Sequence, residues 1–308
     1  MPTTLILLNP HAGNGGAGDY WARIEPIIRA QIGALIVETT ENPRDIPPIL
    51  NDAYHTHGVR SVIAVGGDGT NHTSINAILA LNTQFPDDTV AYGNLPIGTG
   101  RDWARGIGLP TDDAAASAAW LVQAMARPTD VGKVTIHERD EVEYFLNIAS
   151  TGLGGDVVQR VNHQRTRRSW SFLVATVQAI LSYRAQIVRV RLDNEDWYEG
   201  AAYLVAVANG TTFGRGMKIA PNAHFDDGLF DVVLVKGVSR LTLLTAFLRV
   251  YSGTHLTHPA VRHAQAARVD ITLTDASSLP IKLEFDGEPY EGRNLTFEVC
   301  AGLLRFLR

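Results

Sequence analysis

Residues 62–78 read VIAVGGDGTNHTSINAI: an apolar run, a glycine turn holding one carboxylate, then a polar stretch suited to opening a helix. Gly66, Gly67 and Gly69 lack the Cβ atoms that would keep a bulky anion off the backbone. Exposed N–H groups at a helix start favour negative charge, so the chemistry this segment suits is phosphate binding. Asp68 would repel a bare phosphate, and a magnesium ion or a proton to be removed would give it a purpose. The turn lacks the Gly-Lys-Ser/Thr of a Walker loop and is not the GxGxxG of dinucleotide folds. An ordinary strand-turn-helix connection is the alternative reading.

Two further acidic turns stand at Asp226-Asp227-Gly228 and Asp286-Gly287-Glu288-Pro289. Each could be a solvated corner and no more, because Asp and Gly are turn residues. Phosphoryl transfer, however, needs positioned phosphates, neutralised charge and a carboxylate near the attacking hydroxyl. Hard cations prefer carboxylate and carbonyl oxygens, which the first turn offers. Asp68 could bind magnesium through water or accept the hydroxyl proton, and Glu288 competes with it for the second role. Arg101 and Arg105 lie four apart and would share a helix face that reaches phosphates or solvent. His255 and His258 have a metal-like spacing without a nearby carboxylate or cysteine to complete a site. Residues 151–155, TGLGG, read as another glycine turn.

These residues need a scaffold. Strands are expected at 5–8, 35–39, 61–65 and 90–96, alternating with helices at 19–31, 46–57 and 73–81, which implies a parallel sheet covered on both sides. Three chemistry-bearing loops follow three of those strands, at the edge where open α/β sheets bind ligands. Thr111, Asp112 and Asp113 cap an alanine-rich helix running to about residue 126, and Pro128 marks a boundary. Beyond it the hydrophobic period changes to two at 187–192, 202–207, 232–235, 269–273, 281–285 and 295–299, with helices near 170–183 and 241–251. Two domains are expected: 1–128, an α/β nucleotide-binding domain, and 129–308, a β-rich acceptor domain whose end packs back on the first.

Composition sets outer bounds. A hydrophobic content of 45% and a charged content of 19% are those of a folded protein. A net charge of -5 gives no global case for nucleic acid. Cys300 is the single cysteine, so no internal disulfide can form. MPTTLILLNP has no basic leader, and no run of about 18 apolar residues occurs, so a cytoplasmic protein without a transmembrane span is expected. Residues 163–183 open with Arg165, Arg167 and Arg168, then space Trp170, Leu173, Val174, Val177, Ile180 and Leu181 as a helical stripe. That stripe faces either a core or an anionic membrane on the inner surface.

In this order and spacing, NPHAGNG, GGDGTNH, LPIGTGRDWAR, HFDDGLFDVVLV and EFDGE resemble the diacylglycerol kinase catalytic-domain family of lipid kinases, from residue 3 to the C-terminus. That family includes relatives of sphingosine and ceramide kinases, and similar GGDGT loops occur in NAD kinases and phosphofructokinases. The resemblance implies an NAD kinase-like α/β domain with a parallel sheet, a mostly antiparallel C-terminal β-sandwich, and an active site in the cleft between them. It implies transfer of the γ-phosphate of ATP to a lipid hydroxyl, with Mg2+. Carried over, Asn9, Pro10, His11, Ala12 and Gly13 would hold ATP phosphates together with Gly66, Gly67, Asp68, Gly69, Thr70, Asn71 and His72. Thr40 and Thr99 would be further nucleotide contacts. A structural magnesium would sit on Asp227 and the main-chain oxygens of His224 and Leu229, and Glu288 would accept the proton, close to Asp286. Many diacylglycerol kinases carry Asn where Arg101 stands, which leaves the lipid open.

The leading expectation is a diacylglycerol kinase acting with ATP and a lipid acceptor. A sphingoid or ceramide kinase, a kinase of a soluble acceptor such as NAD, and a non-catalytic nucleotide or lipid sensor stand beside it. A homodimer is left open.

Overall fold

The structure, a computed structural model, describes residues 3–13, 15–97, 101–110, 113–163 and 171–308, the side chains of 171 and 172 excepted. Thr99, Thr111, Asp112, Arg165, Arg167, Arg168 and Trp170 lie outside the described residues. The chain divides into unit 1, Met1–Asp130 with Ala301–Arg308, and unit 2, Val131–Cys300.

Unit 1 alternates β1 (Thr3–Leu8), α1 (Ala17–Ile32), β2 (Leu35–Thr39), α2 (Ile46–His57), β3 (Val59–Gly66), α3 (Asp68–Gln84), β4 (Ala91–Pro96), α4 (Asp102–Gly106) and α5 (Ala114–Gln123). β1 pairs in parallel with β2 and β3, and β3 with β4. Near the chain's end Phe306 adds a further parallel neighbour opposite Tyr92. Leu5, Ile6, Leu7, Val62, Ile63, Ala64 and Val65 are all buried, as strands covered on both faces must be. Ile6, Ile63 and Val65 pack with Trp21, Ile24 and Ile28 of α1 and Leu121 of α5. The Asp113 carboxylate caps α5 by accepting the N–H groups of Ala115 and Ala116. Because β1 to β4 pair with one another in parallel, the residues after β1, β2, β3 and β4 emerge at one edge.

Helix α3 begins at Asp68, not at Thr73 as the hydrophobic pattern suggests. Its first turn is polar in sequence yet largely buried, since Thr70, Asn71 and His72 all face inward.

Unit 2 continues with β5 (Ala126–Ile136), β6 (Glu141–Phe145), β7 (Ile148–Gly152), α6 (Leu153–Asn162), α7 (Ser171–Ser182), β8 (Gln186–Leu192), β9 (Glu195–Ala208) and β10 (Phe230–Lys236). After them come α8 (Arg240–Leu248), β11 (Val261–Ala266), β12 (Arg268–Leu273), β13 (Ile281–Phe285), β14 (Glu288–Gly292) and β15 (Asn294–Leu307). β5 starts in unit 1 and β15 ends there. Antiparallel pairing runs β14-β13-β7-β9-β8-β12-β15, with β10 between β9 and β11. The second half of β9, residues 202–208, and the middle of β10 are buried on both faces, which explains their nearly continuous apolar sequence there. Val205, Val207, Val232 and Leu234 enter one core cluster. Leu204, Ala206, Val233 and Val235 enter another, with Ile180 of α7 and Leu243 and Ala246 of α8.

The glycine stretch at 151–155 is not a turn. Gly152 ends β7, and Gly154 and Gly155 open α6 because the helix lies against its neighbours too closely for side chains. A Cβ on Gly155 would stand 2.5 Å from the Lys282 carbonyl carbon, and one on Gly154 2.0 Å from Ser150 Oγ.

Candidate active site

In unit 1 the first glycine loop leaves β1 at Asn9, a half-buried residue that ties three segments together. Its N–H donates to Val65 O at 3.0 Å, its Oδ1 accepts the His11 N–H at 3.0 Å, and its Nδ2 donates to Thr70 Oγ1 at 3.0 Å. The 9–13 loop and the first turn of α3 are thereby joined by side chains. Gly13 has φ +62, and a Cβ there would stand 2.7 Å from Ile97 Cγ2. Ile97 in turn donates its N–H to Gly66 O at 2.8 Å, so the ends of β3 and β4 are held in register.

The glycines have different tasks. Gly66 serves packing: a Cβ there would meet the Thr70 side chain at 2.7–2.9 Å. Gly67 is the N-cap of α3, with extended backbone and no side-chain cap, and Asp68 follows as the first helical residue, exposed. The first-turn N–H groups of such a helix have no intrahelical acceptor, and the dipole favours an anion there. Asn71 and His72 are buried. Asn71 Oδ1 accepts from Tyr92 OH at 2.7 Å and Asn94 Nδ2 at 2.8 Å. Burial lowers His72 to about 4, so it is neutral at pH 7 and offers a phosphate no charge. Thr40 is buried, and its hydroxyl donates to Leu8 O at 3.4 Å.

In unit 2, β13 and β14 form a hairpin whose two-residue turn is Asp286-Gly287, with φ +50 and +87. A two-residue turn with positive φ at both positions matches the twist of the flanking strands. Asp286 is not the solvated carboxylate its turn position suggests. Its Oδ2 accepts the Leu146 N–H at 2.7 Å and its Oδ1 the Asn147 N–H at 2.9 Å. Burial pushes it up to about 6, against the opposing pull of those backbone donors. The 146–147 segment is also gripped from the other side. Asn209 Nδ2 donates to Leu146 O at 2.7 Å, the Asn209 and Gly210 N–H groups donate to Asn147 O, and Asn147 Nδ2 donates to Thr212 O.

Glu288, half-buried, is the first residue of β14, opposite Phe285. Beneath the turn lies Glu284, a buried carboxylate that sequence reasoning missed. Its Oε1 accepts Ser150 Oγ at 2.6 Å and its Oε2 the Gly287 N–H at 3.1 Å. The available signal was a carboxylate two residues before an acidic turn; its partner Ser150 comes from a distant strand. Asp156 is likewise buried. Burial alone would raise it, and Lys282 Nζ and Arg160 Nε, both at 2.6 Å, hold it below its usual value.

At the other acidic turn Asp227 Oδ1 accepts the Leu229 N–H at 3.0 Å, tightening residues 227–229. Among the described residues no group of three or more His, Cys, Asp or Glu side chains is arranged for a metal. One carboxylate with the main-chain oxygens of His224 and Leu229 is a different kind of site, and hard oxygen donors of this sort suit magnesium. Burial raises the nearby Asp231 and Asp227 adds to that, while the Gln265 hydrogen bond and the neighbouring His263 and His224 oppose it.

His255 and His258 are structural. His255 is buried with Nε2 2.9 Å from Ile219 O, and His258 Nδ1 accepts the Ala260 N–H. Arg101 is the N-cap of the short α4 with φ +55, and Arg105 pairs with Asp102 Oδ1 at 2.8 Å. Burial raises the half-buried Cys300 thiol, which makes it a poor nucleophile.

Glycine loops at the carboxyl ends of a parallel sheet, in one chain with an antiparallel unit carrying an acidic hairpin, define a two-part kinase architecture. The chain belongs to the diacylglycerol kinase-type family of lipid kinases. The diacylglycerol kinase catalytic domain matches residues 3–134. The YegS C-terminal NAD kinase beta sandwich-like domain matches residues 147–308. The diacylglycerol kinase of Bacillus subtilis is 26% identical over 230 residues, 73% of this chain and 71% of that protein. A probable lipid kinase YegS-like of Stenotrophomonas maltophilia is 29% identical over 308 residues, 98% of this chain and 94% of the relative. A crystal structure of a putative diacylglycerol kinase from Bacillus anthracis shares the fold with a TM-score of 0.78 at 22% identity, covering 99% of this chain and 96% of that one.

Proposed function

We propose that the protein transfers the γ-phosphate of ATP to the free hydroxyl of diacylglycerol, giving phosphatidic acid and ADP. The observation that carries this reading is the Asn9 Nδ2 to Thr70 Oγ1 hydrogen bond, which holds two glycine loops together at the carboxyl edge of the parallel sheet. Backbone N–H groups of the 9–13 loop and of the start of α3 receive the phosphates, and Thr99 adds a nucleotide contact. The acceptor oxygen attacks Pγ, the bond from Pγ to the bridging oxygen breaks, and ADP leaves with that electron pair. Glu288 takes the hydroxyl proton, and Asp68 is the alternative base or a magnesium ligand. Asp286, with both oxygens engaged by backbone donors, positions the turn that presents Glu288.

Magnesium, when bound, neutralises phosphate charge; Asp68 is its candidate holder beside the nucleotide, and Asp227 with the His224 and Leu229 carbonyls is the candidate structural site. The protein works from the cytoplasmic side of a membrane, where its acceptor resides.

Purified protein given labelled ATP, magnesium and a panel of diacylglycerol, sphingosine, ceramide and NAD should label diacylglycerol. Label on NAD alone, or on none of the four, would overturn the reading. Asp68→Asn should remove turnover while the fold survives, and near-normal turnover would remove Asp68 from the mechanism.

A further inference from the structure

We propose that the outer face of α7 and α8 docks on an anionic lipid bilayer. The proposal deepens the lipid kinase reading by naming the surface through which the protein meets its acceptor's membrane. Helix α7, SFLVATVQAILS, has no charged residue. The helical stripe expected for a core is inverted in part: Ala175, Ala179 and Ile180 are buried, whereas Leu173, Val177 and Leu181 are exposed. Those three lie at i, i+4 and i+8, one row about 12 Å long. A surface helix ordinarily buries its large aliphatic residues and exposes polar ones.

The neighbouring helix repeats the inversion. α8 buries Leu243 and Ala246 but leaves Leu241 and Leu248 74% and 68% exposed, two residues seven apart on one face. The two helices join at the Arg240 guanidinium, which donates to Ile180 O. Leu181 and Leu241 are each the next residue along from that contact. Gln186 Nε2 holds the loop at Leu279 by donating to its carbonyl at 2.9 Å, and Leu279 is 82% exposed.

Charge selects the occupant. Residues 157–192 and 232–269 contain seven and five Lys or Arg, and neither stretch contains a single Asp or Glu, in a chain with 32 acidic residues. Arg184, one turn beyond Leu181, and Arg249, beside Leu248, are exposed. Arg160, Arg189, Arg191 and Arg268 pair with carboxylates just outside these stretches, whereas exposed leucines beside Arg184 and Arg249 match the boundary between acyl chains and anionic headgroups, where leucines enter and guanidinium groups stay at the phosphates. Among the described residues no helix is long and apolar enough to cross a membrane, so this contact is peripheral.

The test is sedimentation of the full chain with vesicles of phosphatidylcholine alone and with one-third phosphatidylglycerol, without ATP. The wild type should bind the phosphatidylglycerol vesicles at least tenfold more tightly than the neutral ones. Leu181→Ser with Leu241→Ser should weaken that binding at least tenfold, and so should Arg184→Ala with Arg249→Ala. Every substituted side chain is exposed, so unchanged circular dichroism and thermal midpoint should accompany the loss. Phosphorylation of a short-chain acceptor dispersed in detergent should stay within twofold of the wild type. Wild-type protein left in the supernatant, or variants that bind like the wild type, would overturn the proposal. So would a wild-type dimer in sedimentation velocity that the leucine variant converts to monomer, since a second copy would then cover the face. Vesicle binding without lipid phosphorylation would sink the kinase reading and leave this surface standing.

Discussion

At the scale of single residues, the two carboxylates of the acidic hairpin have separable tasks. Asp286 uses both oxygens on the Leu146 and Asn147 N–H groups, so Asp286→Asn would place an amide N–H₂ against one of those donors. An unmet buried donor costs about 1–3 kcal/mol, and the thermal midpoint should fall accordingly. Glu288→Gln should instead leave the midpoint within a degree or two while reducing kcat at least 100-fold, with ATP binding retained. If Glu288→Gln melts the protein and Asp286→Asn only slows it, the two roles are reversed. His72 supplies a pH signature. Its folded value of about 4 lies below the unfolded value of about 6.5, so between these limits the unfolded chain binds the extra proton. Stability is therefore complete above pH 6.5 and declines as pH falls toward 4, by up to about 3 kcal/mol. Calorimetry across that range should show a flatter acid limb for His72→Gln than for the wild type; parallel limbs would assign the acid sensitivity to other groups.

At the scale of elements, the junction between β3 and α3 does the positioning, and its geometry rests on one missing Cβ. Gly66→Ala would bring a methyl within 3 Å of the Thr70 side chain and push its hydroxyl off Asn9. Overpacking of this kind costs about 1–3 kcal/mol. The KM for ATP should rise at least tenfold, and an unchanged KM would show that the junction is not part of the donor site. Much of this scaffold could be read from periodicity: the elements at 35–39, 46–57 and 281–285 have the bounds their patterns suggest. Others were hidden for physical reasons. α6 opens on two glycines demanded by close packing, Gly155 against the β13 backbone and Gly154 against the Ser150 side chain of β7, needs that live in other strands. β14, EPYEG, carries a proline and two acids, and is a strand because Asp286-Gly287 folds it onto β13. Likewise the acidic turns could be located in the sequence, while the clamp of Asp286 on the 146–147 backbone and the existence of the Glu284–Ser150 pair could not. Both depend on residues more than a hundred positions away.

At the scale of the whole molecule, a net charge of -5 conceals a partition. All 32 acidic residues lie outside the two basic stretches that carry α7 and α8. An anionic bilayer therefore repels most of this chain and attracts one part of it, which fixes an orientation as well as an affinity. Opposed contributions respond differently to salt. The Debye length shrinks from about 14 Å at 0.05 M to about 4 Å at 0.5 M, and charges nearest the headgroups are screened last. If the arginines beside Leu181, Leu241 and Leu248 touch the lipid, attraction exceeds repulsion at low salt. Affinity for phosphatidylglycerol vesicles should then fall at least fivefold over that range, while weak binding to phosphatidylcholine stays constant. Should the affinity rise with salt, repulsion from the acidic remainder would be governing the encounter, and a face other than α7 and α8 would be meeting the lipid.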